Sequence, residues 1–140
     1  MQNQKLFNLL ANYYALYIKT QSYHWNISGL NFFQFHKMLE SQYEKLASEI
    51  DEIAEKIKML GEKVPAHLSV FASLTIISDP NPNFTATEMI KDLYESNKQI
   101  VTFLQETFAH YHNNCATQDF IVQKIAAREK EMWFLFETIS

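Results

Sequence analysis

The chain has 140 residues, enough for one compact domain with a sizeable core, and its 47% hydrophobic content excludes a disordered tail or linker. Two glycines and three prolines are too few for the tight turns of a β-sandwich or barrel, which points to long helices. A net charge of −4 gives the bulk chain no attraction for a polyanion, and no stretch approaches the roughly 20 consecutive apolar residues that cross a bilayer.

The opening MQNQKLFNLL lacks a basic region followed by an apolar run and a small-residue cleavage site, so no secretory signal is expected. The lone cysteine, Cys115, cannot form an intrachain disulfide and reads as an ordinary free thiol, which suits a reducing cytoplasm.

In chain order, the first helix is predicted from about Gln4 to His24 or slightly beyond, with Leu6, Leu10, Tyr13 and Tyr17 on its apolar face. Asn26-Ile27-Ser28-Gly29 stops it, Gly29 adopting positive φ at little cost. The second helix is the clearest. Leu39, Tyr43, Leu46, Ile50, Ile53, Ile57 and Leu60 form a seam with alternating three- and four-residue steps, ended by Gly61 and Pro65. Between Pro65 and Phe84 the pattern weakens: His67 to Ala72 fits a short extra helix, and Asp79-Pro80-Asn81-Pro82-Asn83 a loop. Thr85 and Glu88, spaced as a capping box, open the third long helix, whose stripe is Ile90, Leu93, Asn97, Ile100, Leu104 and Tyr111. Asn113-Asn114 breaks it. A last helix runs to about Glu137 with Phe120, Ile121, Ile125, Met132, Trp133 and Phe136 apolar. Two short turns and one long connection carrying a small helix predict an all-α, ferritin-like four-helix bundle with a single crossover, read as one domain over residues 1–140.

On the second helix, His36 and Glu40, then Asp51 and Glu55, form two i,i+4 pairs. All four side chains fall within a sector of roughly 100° at 100° per residue, yet the pairs are centred about 22 Å apart. They cannot share one metal ion within a chain. Two copies of the helix packed antiparallel about a twofold axis near Lys45–Leu46 would bring the first pair of one copy to the second pair of the other. The row lies roughly 110° from the core seam, where a second subunit could cover it. Ala47 and Ala54 share that flank and would allow close approach, although alanine is also simply a strong helix former. A plain solvated acidic face fits the same spacing, and Glu44, Lys58 and Glu62 in the same sector read that way. Against it stands His36 at the start of the row with His24 upstream, since imidazole plus carboxylate suits iron, manganese or zinc. His67, His110 and His112 read as structural residues; the last two, at i,i+2, lie on different helix faces.

The run Lys19-Thr20-Gln21-Ser22-Tyr23-His24-Trp25-Asn26-Ile27-Ser28-Gly29, followed by Phe32-Phe33 and His36, closely resembles the signature of the Dps family, the miniferritins or DNA-binding proteins from starved cells. The likeness continues through Glu40, Tyr43, Leu46 and Asp51-Glu52-Ile53-Ala54-Glu55. It returns weakly at Ala116-Thr117-Gln118-Asp119 and at Glu129-Lys130 before Trp133. The resemblance implies a hollow homododecamer that oxidises Fe(II), with hydrogen peroxide or oxygen as oxidant, and stores the ferric mineral, protecting the cell from oxidative stress. It implies a ferroxidase centre at a twofold interface, with His24, His36 and Glu40 from one subunit and Asp51 and Glu55 from its neighbour. Glu55 would bridge, or nearly bridge, two iron positions, with Asp51 and His24 completing one and His36 and Glu40 the other. It also implies that Trp25 lies near the site and absorbs stray oxidising equivalents; a core aromatic is the competing reading. Asp119 matches an acidic position of a threefold pore, whereas Asn114 and Gln123 stand where further acids are common in the family.

DNA binding is not expected. Members that bind DNA usually carry lysine-rich terminal extensions, whereas Lys5 is the sole cation near the start here. Twelve copies at −4 would total about −48 and repel phosphate. A nucleoid-compacting member, a helical interaction module without metal, and a related manganese or zinc bundle are the competing readings.

Overall fold

A computed structural model describes all 140 residues, Met1–Ser140. Five helices form in the order α1 (Gln4–Asn26), α2 (Phe32–Met59), α3 (Leu68–Leu74), α4 (Ala86–His110) and α5 (Cys115–Ile139). There are no strands, and no helix is long and apolar enough to cross a membrane. The architecture is the expected all-α, ferritin-like bundle of four long helices, with the short α3 in the α2–α4 crossover.

The α1–α2 turn contains Gly29 at φ 118°, a backbone conformation that side chains disfavour. At the start of α4, Thr85 Oγ1 accepts from Glu88 N–H at 3.2 Å and Glu88 returns the bond to Thr85 N–H at 3.0 Å. This is the predicted reciprocal cap. Asn114 caps α5 by accepting from Thr117 N–H at 3.0 Å.

Helix α1 packs against α2, α3 and α4, and α4 packs against α5. The core between them holds Leu6, Leu10 and Tyr13 of α1, Leu39, Leu46, Ile53 and Ile57 of α2, and Ile90, Leu93, Ile100 and Leu104 of α4. The seams read from spacing are therefore the ones that bury. Between α2 and α5 the join is polar instead, made by Lys45–Glu131 at 3.0 Å, Glu49–Arg128 at 2.5 Å and Glu52–Lys124 at 2.6 Å.

One expectation fails on α5. Trp133 and Phe136 belong to its apolar stripe but are 56% and 53% exposed. The helix is apolar on more than one side, and the inward face is held by Ile121, Lys124, Arg128, Glu131 and Leu135. The ends of α3 also shift, from 67–72 to Leu68–Leu74, because Phe71 and its neighbours dock on α1 as about two turns. Phe71 stacks on Tyr14 with ring centres 4.9 Å apart.

Buried polar groups of α1 fix the crossover. Asn12 Oδ1 accepts from Thr75 Oγ1 and Ile76 N–H, each at 2.9 Å. Lys19, fully buried, donates to Ser78 and Ser96 at 2.9 and 3.0 Å and pairs with Asp92 at 3.0 Å. Tyr23 donates to Asp92 and accepts from Asn81 N–H at 3.1 Å. Burial and the Asp92 hydrogen bond push the Tyr23 phenol far above its ordinary value.

Candidate metal centre

His24 sits in the last turn of α1 and His36 in the second turn of α2, so the short turn that stops one helix and starts the next brings them together. Their rings stack with centres 3.7 Å apart and planes 13° from parallel. Each ring reaches the other's backbone: His24 Nδ1 lies 2.7 Å from His36 O, and His36 Nδ1 lies 2.8 Å from His24 O. A carbonyl oxygen only accepts, so both Nδ1 atoms carry the proton. Rings held in this way present Nε2 toward a metal, the orientation that an outer hydrogen bond gives a metal-binding imidazole. The same pair satisfies the His24 carbonyl, one of the acceptors that a helix C-terminus leaves without a partner.

Aromatic rings hold the pair from two sides. Tyr43 meets His24 edge-on at 5.2 Å and Phe32 stacks on His36 at 4.9 Å. Tyr43 leans in turn on Tyr17 at 6.0 Å. Loss of solvent and the charges of Glu40 and Glu44 raise the Tyr43 phenol above its usual range. Glu40, one turn beyond His36, is half-buried and held by Lys37 at 3.3 Å. Sequence reasoning placed Tyr43 in the core seam and Phe32 in the family block, but gave neither a place against an imidazole. The i,i+4 spacing of Phe32 and His36 was the available signal for one of them.

The other carboxylates stand apart. Asp51 and Glu55 are exposed near the far end of α2, about 22 and about 28 Å from His36 by helical rise. No three His, Cys, Asp or Glu side chains of one chain converge on a metal-sized point. A chain by itself therefore brings together His24 and His36 with Glu40 nearby, and leaves Asp51 and Glu55 facing outward on the same flank.

Trp25 follows His24 but is 66% exposed, which corrects the core-aromatic alternative. Leu30 and Phe33, beside it in the turn and the start of α2, are also exposed, so an apolar surface borders the histidines. Asp119 is exposed on α5, accepts from Gln123 at 3.0 Å and lines a recess that also contains Glu52 and Glu55. Asn114 has a local task as the α5 cap, which accounts for an amide at that position.

A family model of the ferritin-like domain matches residues 3–140. The DNA protection during starvation protein of Brevibacillus brevis is 29% identical over 128 residues, covering 90% of this chain and 86% of its own. A solved Dps protein from Bacillus brevis superposes with a TM-score of 0.92 at 28% identity, covering 97% of this chain and 93% of that one. A Dps protein from Vibrio cholerae O1, described as a member of a broad superfamily of ferritin-like diiron-carboxylate proteins, gives a TM-score of 0.92 at 27% identity, covering 98% and 87%. The chain belongs to the ferritin-like family, in its Dps branch.

Proposed function

We propose that this protein stores iron and oxidises Fe(II) at a centre shared between two copies of the chain, as part of a hollow homododecamer in the cytoplasm. His24, His36 and Glu40 of one copy would face Asp51 and Glu55 of the other. The observation that carries the reading is the reciprocal His24–His36 pair, which fixes both tautomers and leaves both Nε2 atoms available. Membership of the Dps branch, and the diiron-carboxylate description of its Vibrio cholerae relative, support iron as the metal handled.

The residues have distinct tasks. Ferrous iron, the substrate, takes imidazole nitrogen readily, and the carboxylates of Glu40, Asp51 and Glu55 favour the harder ferric product. Glu55, at the interface, would touch both iron positions. Coupling two ferrous ions to one hydrogen peroxide delivers the two electrons that convert peroxide to water, so no hydroxyl radical is released. The apolar rim of Trp25, Leu30 and Phe33 would be covered by the partner and restrict water around the ions. Trp25, next to His24 in sequence, would quench oxidising equivalents that escape. Asp119 would offer a carboxylate on iron's way in.

Native sizing followed by stopped-flow oxidation of Fe(II), with hydrogen peroxide and with oxygen, tests the proposal. A shell-sized particle that consumes about one peroxide per two ferrous ions fits it. A monomer, or oxidation no faster than in buffer with either oxidant, would end it.

A further inference from the structure

Midway along the bundle, one side chain from each long helix meets at a point: Tyr13 of α1, Glu49 of α2, Asn97 of α4 and Arg128 of α5. Arg128 is 1% exposed. Its guanidinium pairs with Glu49 Oε2 at 2.5 Å, donates to Asn97 Oδ1 at 3.1 Å and lies 5.6 Å from the centre of the Tyr13 ring. Even so, Arg128 Nε, Glu49 Oε1 and the Tyr13 hydroxyl are buried without partners, as is Glu131 Oε2 one turn along α5. Buried polar atoms are normally paired, and the three unpaired oxygens of Glu49, Tyr13 and Glu131 mark a place with more ligand oxygens than its occupant uses.

The helical register has a second meaning. Ferritin-like bundles that hold metal internally do so with inward carboxylates on facing helices, two of which contribute i,i+3 pairs. Here α5 offers the buried Arg128 and Glu131 at that same spacing, while α2 offers the buried Glu49 with an exposed Glu52 that pairs with Lys124 at 2.6 Å. A recess of about 380 Å³ between α2 and α5, lined by Glu52, Lys124 and Glu131 among others, leads to the point. Burial lifts the Glu49 carboxyl above its usual range while the Arg128 charge draws it back, so an ionised Glu49 depends on a cation beside it.

We propose that Arg128 is the resident cation of the bundle interior, its guanidinium standing where Glu49, Tyr13 and Asn97 would otherwise bind a divalent cation, and that it thereby keeps metal out of the bundle; Glu131, held by Lys45 at 3.0 Å, lines the recess that leads there. Carboxylate and amide oxygens are ligands that Mn2+ and Mg2+ take. A guanidinium stays charged at any pH the fold survives, and its covalent tether holds it in place against free ions. Arg128 is thus a specificity-determining residue, whether or not the histidine side is the iron centre.

The test measures Mn2+ bound at equilibrium by the full chain carrying H24N and D51N, which disable the outer sites, with and without R128A. R128A is expected to bind about one more Mn2+ per chain and to unfold at a higher temperature when Mn2+ is present. Adding E49Q should abolish the gain, and R128K, which keeps the charge, should show none. Folding of R128A only in Mn2+ supports the proposal equally. It is overturned if folded R128A binds no more Mn2+, if the gain survives E49Q, if R128K shows it, or if R128A and R128Q both fail to fold with Mn2+ supplied.

Discussion

Asparagine at position 36 separates the two tasks of that histidine. The Asn Nδ2 occupies nearly the place of imidazole Nδ1, so His36→Asn can still donate to the His24 carbonyl, now at 2.8 Å from Nδ1. It has nothing in place of Nε2. The cost in stability is then mainly the lost stacking on His24 at 3.7 Å and on Phe32 at 4.9 Å. Aromatic pairs contribute about 0.5–1.5 kcal/mol each, so a total near 1 kcal/mol is expected for this half-buried ring. In a chain of this size that lowers Tm by about 4 °C. His36→Ala removes the hydrogen bond as well and should cost a further ~1 kcal/mol, because a part-buried helix-end carbonyl loses its donor. Iron behaves differently. Changing outer partners of a metal ligand alone weakens binding about 10- to 100-fold, so loss of Nε2 should slow Fe(II) oxidation by at least that factor in both variants. Thermal unfolding by circular dichroism and stopped-flow oxidation, run on the same preparations, check both halves. Oxidation at the unsubstituted rate in H36N, or equal loss of stability in H36N and H36A, would refute the assignment of Nδ1 to structure and Nε2 to metal.

Asn12→Ala leaves the Ile76 N–H and the Thr75 hydroxyl without their buried acceptor and should cost about 2–3 kcal/mol, with the earliest loss of amide protection in the α2–α4 crossover by hydrogen exchange. Asp51→Asn with Glu55→Gln, both at exposed positions, should change stability by less than about 0.5 kcal/mol while abolishing fast iron oxidation, as thermal scans and kinetics on one sample would reveal. The α4 cap gives a pH signature. Hydrogen bonds from the Thr85 backbone and side chain hold the Glu88 carboxyl below its ordinary range. Its contribution is therefore present above the unfolded value and lost as pH falls through the folded one. Glu88→Gln, which keeps an acceptor but cannot titrate, should flatten that part of the acid limb in thermal scans from about pH 6 to about pH 3.

The bundle was legible because its signals are local. The α2 seam repeats over seven positions, the α4 capping box lies within four residues, and the lengths of the turns give the crossover. The stacking of His24 on His36 was not. Resemblance supplied their shared role, whereas the ring contact depends on how the Ile27–Asn31 turn aims two helices. Arg128, Glu49, Lys124 and Glu131 escaped because a charged residue reads as solvent-facing, and only a partner on another helix pulls it inward. Trp133 and Phe136 misled for the converse reason: with apolar residues on more than one side of α5, periodicity in one dimension does not choose the buried side.

The central claim is that one metal centre takes nitrogen from one chain and oxygen from another. Two variants, H24N/H36N and D51N/E55Q, should each be inactive when assembled alone. Co-expressed in equal amounts, they restore one complete centre in every mixed pair, so about a quarter of the unsubstituted number of centres, and of the Fe(II) oxidation rate, should return. Mixed assemblies with no more activity than either variant would contradict the account.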